Sequence, residues 1–107
     1  MILQFFHPFL YLKSLLEKVP RPTTLPEAVA VLERMMTIEE KKLLQTAKDK
    51  KRAASTLHHT LGRHIRNEWC LWHASDLAVH LKEVYGIEHP DDMSHAIIMA
   101  YCNYIVK

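Results

Sequence analysis

Two glycines in 107 residues is the first constraint on this chain. A sheet protein needs many tight turns, and glycine supplies the positive φ that such turns demand. So low a count excludes a strand-and-hairpin architecture and leaves helices joined by few connections. Cysteine is equally scarce: Cys70 and Cys102 lie far apart and match neither a metal knuckle nor a redox pair. They read as free thiols in a reducing, cytoplasmic compartment. No apolar run reaches the roughly 20 residues that a bilayer span needs, because Lys13 ends the stretch from Met1 to Leu12. That stretch also lacks a basic n-region and an Ala-x-Ala cleavage site, so neither a membrane span nor a signal peptide is expected.

Several chemical patterns are missing too. The chain has eight histidines, yet no two stand four apart, the spacing at which a helix presents two ligands to a metal. Three mixed pairs do have that spacing: His64 with Glu68, Asp76 with His80, and Asp91 with His95. Such pairs are ordinary helix-surface contacts, so neither a metal nor another cofactor is expected. No serine or cysteine sits in a strained elbow, and no glycine loop cradles phosphate. His89, Asp91, Asp92 and His95 suggest an acid/base group, but acids directly after Pro90 are explained by helix capping. An enzyme is not expected.

What is present is distinctly polarised. Between Lys41 and Arg66 the chain carries eight basic residues and one acid, Asp49, whereas the remainder carries six basic and eleven acidic residues. A cationic segment of this kind suits an anionic partner such as a nucleotide, nucleic acid or acidic protein, or is simply a solvated helix face.

Punctuation by proline and capping residues divides the chain into an apolar N-terminal segment with a proline linker, residues 1–22, and a helical domain, residues 23–107. Pro8 interrupts any helix begun at residue 2, which places the first helical stretch at 9–19. Phe5, Phe6, Phe9 and Tyr11 form a cluster with three available uses: packing on the domain, forming a homodimer seam, or docking on a partner. Pro20-Arg21-Pro22 is stiff and extended. Thr24-Leu25-Pro26-Glu27 opens a helix with a capping box, and Ala28, Val31, Leu32 and Met35 form its buried face. Thr37-Ile38-Glu39-Glu40 repeats the box, for a helix running to about Ala47. Asp49 caps a long central helix ending near Trp69. Ser75 caps the next, with Leu77, Leu81 and Val84 inward and Gly86 as its stop. His89-Pro90-Asp91-Asp92 begins the last, whose inner face is Ala96, Ile97, Ala100, Tyr101, Tyr104 and Ile105. The expected fold is all-α, a single compact bundle of five to six helices.

The densest chemistry lies on the central helix. Leu57, Leu61, Ile65 and Trp69 recur every four residues and form an apolar stripe, with His59, Arg63 and Arg66 on the neighbouring stripe. Arginine forks match phosphate or carboxylate, histidines add donors, and tryptophan stacks on a base. The candidate ligand-binding residues are therefore His58, His59, Arg63, Arg66, Asn67, Trp69, Trp72, His89, Asp91 and Asp92. The plainer alternative has Arg66 pairing with Asp91 or Asp92 to lock two helices together. Under the ligand reading Arg66→Ala removes binding and leaves the melting temperature nearly unchanged; under the alternative it unfolds the domain. Sequence-specific reading of duplex DNA is not expected, because the central helix carries tryptophans and aliphatics that want burial rather than a groove.

Two motifs carry a family resemblance: Leu57-His58-x-x-Leu61-Gly62-x-x-Ile65-Arg66-Asn67-x-Trp69-x-Leu71-Trp72, and His89-Pro90-Asp91-Asp92-x-Ser94. With Thr24 to Val29 as a matching first helix, residues 23 to 107 resemble a group of small, mostly uncharacterised bacterial and phage domains. Cys70 stands where that pattern has glycine, and the apolar segment before Pro20 has no counterpart in it. The resemblance implies a helical domain in which the two polar motifs meet. It implies no established activity, although a phage-type origin suits a ligand sponge or inhibitor. Two functions follow as expectations. One is a non-enzymatic protein holding an anionic, nucleotide-like ligand between the central and last helices. The other is a protein-interaction or inhibitor module using Phe5 to Leu12 and the basic face from Lys41 to Arg52.

Overall fold

Thr24, Thr37 and Ser75, caps anticipated from sequence, open helices of the computed structural model, which describes residues 20–46 and 50–105. Helix α1 spans Leu25–Met35, α2 Ile38–Thr46, α3 Lys50–Glu68, α4 Asp76–Tyr85 and α5 Pro90–Ile105. Thr24 Oγ1 accepts from the Glu27 amide, while the Glu27 carboxylate accepts from both the amide and the hydroxyl of Thr23. The box thus closes one residue further back than the motif suggests. Those bonds, the backbone one foremost, hold the Glu27 carboxyl below its ordinary range. At α2 the box is fully reciprocal, with Thr37 N–H to Glu40 Oε1 at 2.8 Å and Glu40 N–H to Thr37 Oγ1 at 3.1 Å. Ser75 caps α4 by accepting from Ala78 N–H, and Gly86 ends it at φ 71°. Side chains strain at that φ, so the position suits glycine.

Helix α5 is the hub: each of the other four helices packs on it, α3 most extensively, and α4 also touches α1. The result is an all-α bundle of five helices among the described residues. Its core gathers Ala28, Val31, Leu32 and Met35 from α1, and Leu61, Ile65 and Trp69 from α3 and its end. Leu77 and Leu81 come from α4, and Met93, Ile97, Ile98, Tyr101, Cys102 and Ile105 from α5. Burying a side chain of this size stabilises by about 1.5–3 kcal/mol, so the apolar stripes, rather than helix propensity, fix the arrangement. Gln45 Nε2 reaches the Ile105 carbonyl at 2.7 Å and ties α2 to the end of the hub.

Two inward assignments need correction. Val84 is 61% exposed and Tyr104 is 52% exposed. Val84 sits in the last turn of α4, two residues before the Gly86 stop. In α5 the buried stripe is rotated toward Met93, Ser94, Ile98 and Cys102, because α3 covers that side. The expectations for residues 1–19, the Asp49 cap, and the side chains of Leu57 and His58 lie outside the described residues.

Candidate functional site

The junction between the end of α3 and the start of α5 is built by local backbone chemistry. The Trp69 amide still bonds back to Ile65 O at 2.9 Å, but the Leu71 amide reaches five residues back to Arg66 O at 3.0 Å. Between them Cys70 adopts φ 53°. This is the reversal that usually ends a helix on a left-handed glycine, here performed by a residue with a Cβ. The reversal buries Leu71 and carries Trp72 outward, 54% exposed. Trp72 meets His89 edge to face, with ring centroids 5.9 Å apart.

At the start of α5 the Asp91 amide donates to His89 Nδ1 at 3.0 Å, satisfying an otherwise unpaired first-turn donor. A nitrogen that accepts carries no proton, so the 3.8 Å approach of the same Nδ1 to Asp91 Oδ2 is not an ion pair in that state. Arg66 comes across from α3. Its Nε lies 3.3 Å from Asp91 Oδ1, and its Nη1 donates to Ser94 Oγ at 2.8 Å. Ser94, fully buried, donates in turn to the Asp91 carbonyl at 3.0 Å. The Arg66 side chain is 12% exposed and that of Asp91 50% exposed, so the bond to buried Ser94 is shielded while water screens the carboxylate partner. Two motifs far apart in the chain are thus joined by a planar fork, as the resemblance implies. Asp91, rather than Asp92, takes the arginine.

The other candidate residues divide. His59, Arg63 and Asn67 are exposed on α3, and Asp92 is exposed on α5. Trp69 is 1% exposed and belongs to the core, so it forms no wall for a ligand; its Nε1 is buried and has no hydrogen-bond partner among the described residues. The structure therefore groups Arg66, Asp91, His89 and Trp72, leaving His59 and Arg63 further back along α3.

A second constellation escaped the sequence reading. Glu33 on α1 receives the Tyr101 hydroxyl at 3.1 Å and pairs with Lys41 Nζ at 3.2 Å. Burial first, and the Glu33 carboxylate second, push the Tyr101 phenol well above its ordinary range. Tyr104 stacks on Tyr101, with ring centroids 6.5 Å apart. Two clefts open around this cluster. One of about 370 Å³ is lined by Glu33, Lys41, Gln45, Tyr104 and Ile105. The other, of about 530 Å³, lies between α1 and the second half of α5; Leu25, Pro26, Val29, Ala100, Tyr85 and Tyr104 line it together with the polar Glu33, Arg34 and Asn103. No sequence signal pointed here, since Glu33 and Tyr101 are 68 residues apart and neither belongs to a motif.

Among the described residues no three His, Cys, Asp or Glu side chains gather closely enough to share a metal ion. No described helix is long and apolar enough to cross a membrane. Fold and site together define a small single-bundle helical domain, braced by an arginine lock at one end of its hub helix. The chain belongs to the family of the domain of unknown function DUF6794, whose model matches residues 21–105. No curated protein and no solved structure matches it.

Proposed function

We propose that this chain is a non-enzymatic interaction module that seats an apolar polypeptide segment in the cleft between α1 and α5. One observation carries the reading. The concave surface of about 530 Å³ has mostly apolar walls, with Glu33, Arg34 and Asn103 among them, and half-exposed tyrosines, whereas the Arg66 fork is already engaged by Asp91 and Ser94. Tyrosine at the edge of an apolar depression suits polypeptide recognition, because it contributes large contact area at little conformational cost. An anion arriving at Arg66 would compete with Asp91 for the Nε edge of a guanidinium whose Nη1 already donates to Ser94.

Selection of a displayed peptide library on the full chain tests this reading. Surviving peptides are expected to carry aromatic or aliphatic anchors, and to lose binding about tenfold or more with Ala30→Glu or Tyr104→Ser, as truncation of an interface anchor does. Peptides indifferent to both substitutions would overturn the cleft as the binding face.

A second reading, an anionic nucleotide-like ligand, is favoured by one feature. Trp72 and His89 stand exposed beside the lock, with Arg63 exposed on the same helix as Arg66. A sponge or inhibitor role belongs with either reading. Nucleotide-dependent thermal stabilisation that disappears with Arg63→Glu would establish it in place of the first.

A further inference from the structure

The stripe of α1 that borders the cleft is itself a largely apolar polypeptide segment, so the surface carries its own complement. We propose that the α1–α5 cleft receives α1 of a second copy of this chain. The two helices run antiparallel about a two-fold axis near Ala30, and Arg34 of each copy pairs with Glu27 of the other. This rests on the cleft being a polypeptide-binding face, and it names the polypeptide.

Three observations converge. First, the shape fits a helix. Leu25, Pro26, Val29, Ala30, Glu33 and Arg34 line the cleft along α1, a run of about 13.5 Å. Ala30, exposed near its middle, is small enough to let two helix axes approach to roughly 8 Å. Half-exposed Tyr85 and Tyr104, with Asn103, border the same depression.

Second, the charges are self-complementary. Glu27 and Arg34 are exposed and seven residues apart, so they share one side of the stripe. Glu27 stands three residues before Ala30 and Arg34 four after it. In an antiparallel pair centred on Ala30, each arginine therefore lies within about 1.5 Å, along the axis, of the opposing glutamate's level. Two-fold symmetry makes that contact twice, with opposite signs facing each time. A parallel pair would set Glu27 level with Glu27 and Arg34 level with Arg34.

Third, both groups have capacity to spare. The bonds from Thr23 fall on Glu27 Oε1 alone, leaving Oε2 to accept. Among the described residues the Arg34 side chain has no ion-pair partner. Glu33, the other acid in the cleft, is already held by Lys41 and, from α5, by Tyr101. The unmet charge in the cleft is thus positive, and the unmet carboxylate oxygen lies on the neighbouring turn.

The test is sedimentation velocity on the full chain, with concentration-dependent dimer expected by about 1 mM. Arg34→Glu lies outside the capping boxes and should weaken the dimer about tenfold or more, with helical circular dichroism unchanged. Adding Glu27→Arg to Arg34→Glu should restore it, which a general loss of positive charge would not. A chain monomeric throughout would overturn the proposal, as would a dimer indifferent to Arg34→Glu. So would failure of the double swap to restore association while circular dichroism is unchanged. Library-selected peptides that bind the cleft of a strictly monomeric chain would sink only the second copy as occupant. A chain that neither dimerises nor binds such peptides would sink the interaction module as well.

Discussion

The two ends of α5 are finished in opposite ways. At its start, polar groups close on one another: His89 caps the Asp91 amide, Asp91 takes Arg66, and Arg66 and Asp91 together satisfy Ser94. Toward its end, Tyr101 is sealed against Glu33 but Tyr104 turns outward, and a largely apolar cleft stays open beside α1. The difference teaches that a conspicuous motif and an open surface can sit at opposite ends of one helix. Forked donors and carboxylates attract attention as ligand chemistry, yet in a 107-residue chain with little core to spare they hold two helices in register. The largely apolar cleft carries no recognisable motif and keeps Tyr85 and Tyr104 half-exposed.

Removing the lock is the strongest way to break the comparison. Arg66→Ala removes the donor to buried Ser94 Oγ, which keeps its own bond to the Asp91 carbonyl, and unpairs a half-exposed Asp91, at a cost of about 2–3 kcal/mol. That corresponds to a fall of roughly 10–20 °C in melting temperature for a domain of this size. A scan showing no shift would return Arg66 to the ligand reading.

The Tyr101 hydroxyl probes the other end. Tyr101→Phe should cost about 1–2 kcal/mol near neutrality, because a buried bond to a carboxylate is lost. It should also flatten the alkaline limb of the stability curve. A phenol whose folded pKa lies above its unfolded value keeps its proton longer in the native state. Its contribution is therefore complete below the ordinary tyrosine value of about 10, declines above it and is lost only as pH rises through the higher folded value. Denaturant titrations between about pH 8 and 11 would show the wild-type slope and its absence in the variant.

The smallest effect sharpens the junction. Cys70→Gly should raise stability by about 0.5–1 kcal/mol, since the left-handed backbone costs a residue with a Cβ more than the added chain entropy of glycine offsets. Unchanged stability would mean that the Cys70 Sγ contact to the Asn67 carbonyl, at 3.9 Å, compensates for the strain.

Much of the helical frame was legible because its signals are local. Thr24, Thr37 and Ser75 act within three residues of themselves, and Gly86 needs only its own φ. The inner face of α1, and that of α3 from Leu61 onward, followed from spacing alone. The face of α5 was misread at Tyr104, and that of α4 at Val84, because periodicity gives a stripe but not which neighbours cover it. The meeting of the two motifs was anticipated, including a lock through Asp91. What was not legible was that a serine would complete it, or that Tyr101 would find Glu33.

By itself the sequence determined the helical class, most helix boundaries and the capping chemistry, because each depends on residues within a turn or two of one another. Only the tertiary structure decided that Trp69 is core while Trp72 is surface. It alone decided that Arg66 is engaged and that the open concavity lies at the far end of the hub helix. Those outcomes depend on which faces are brought together across dozens of residues, and burial, unlike capping, is a property of the assembled bundle.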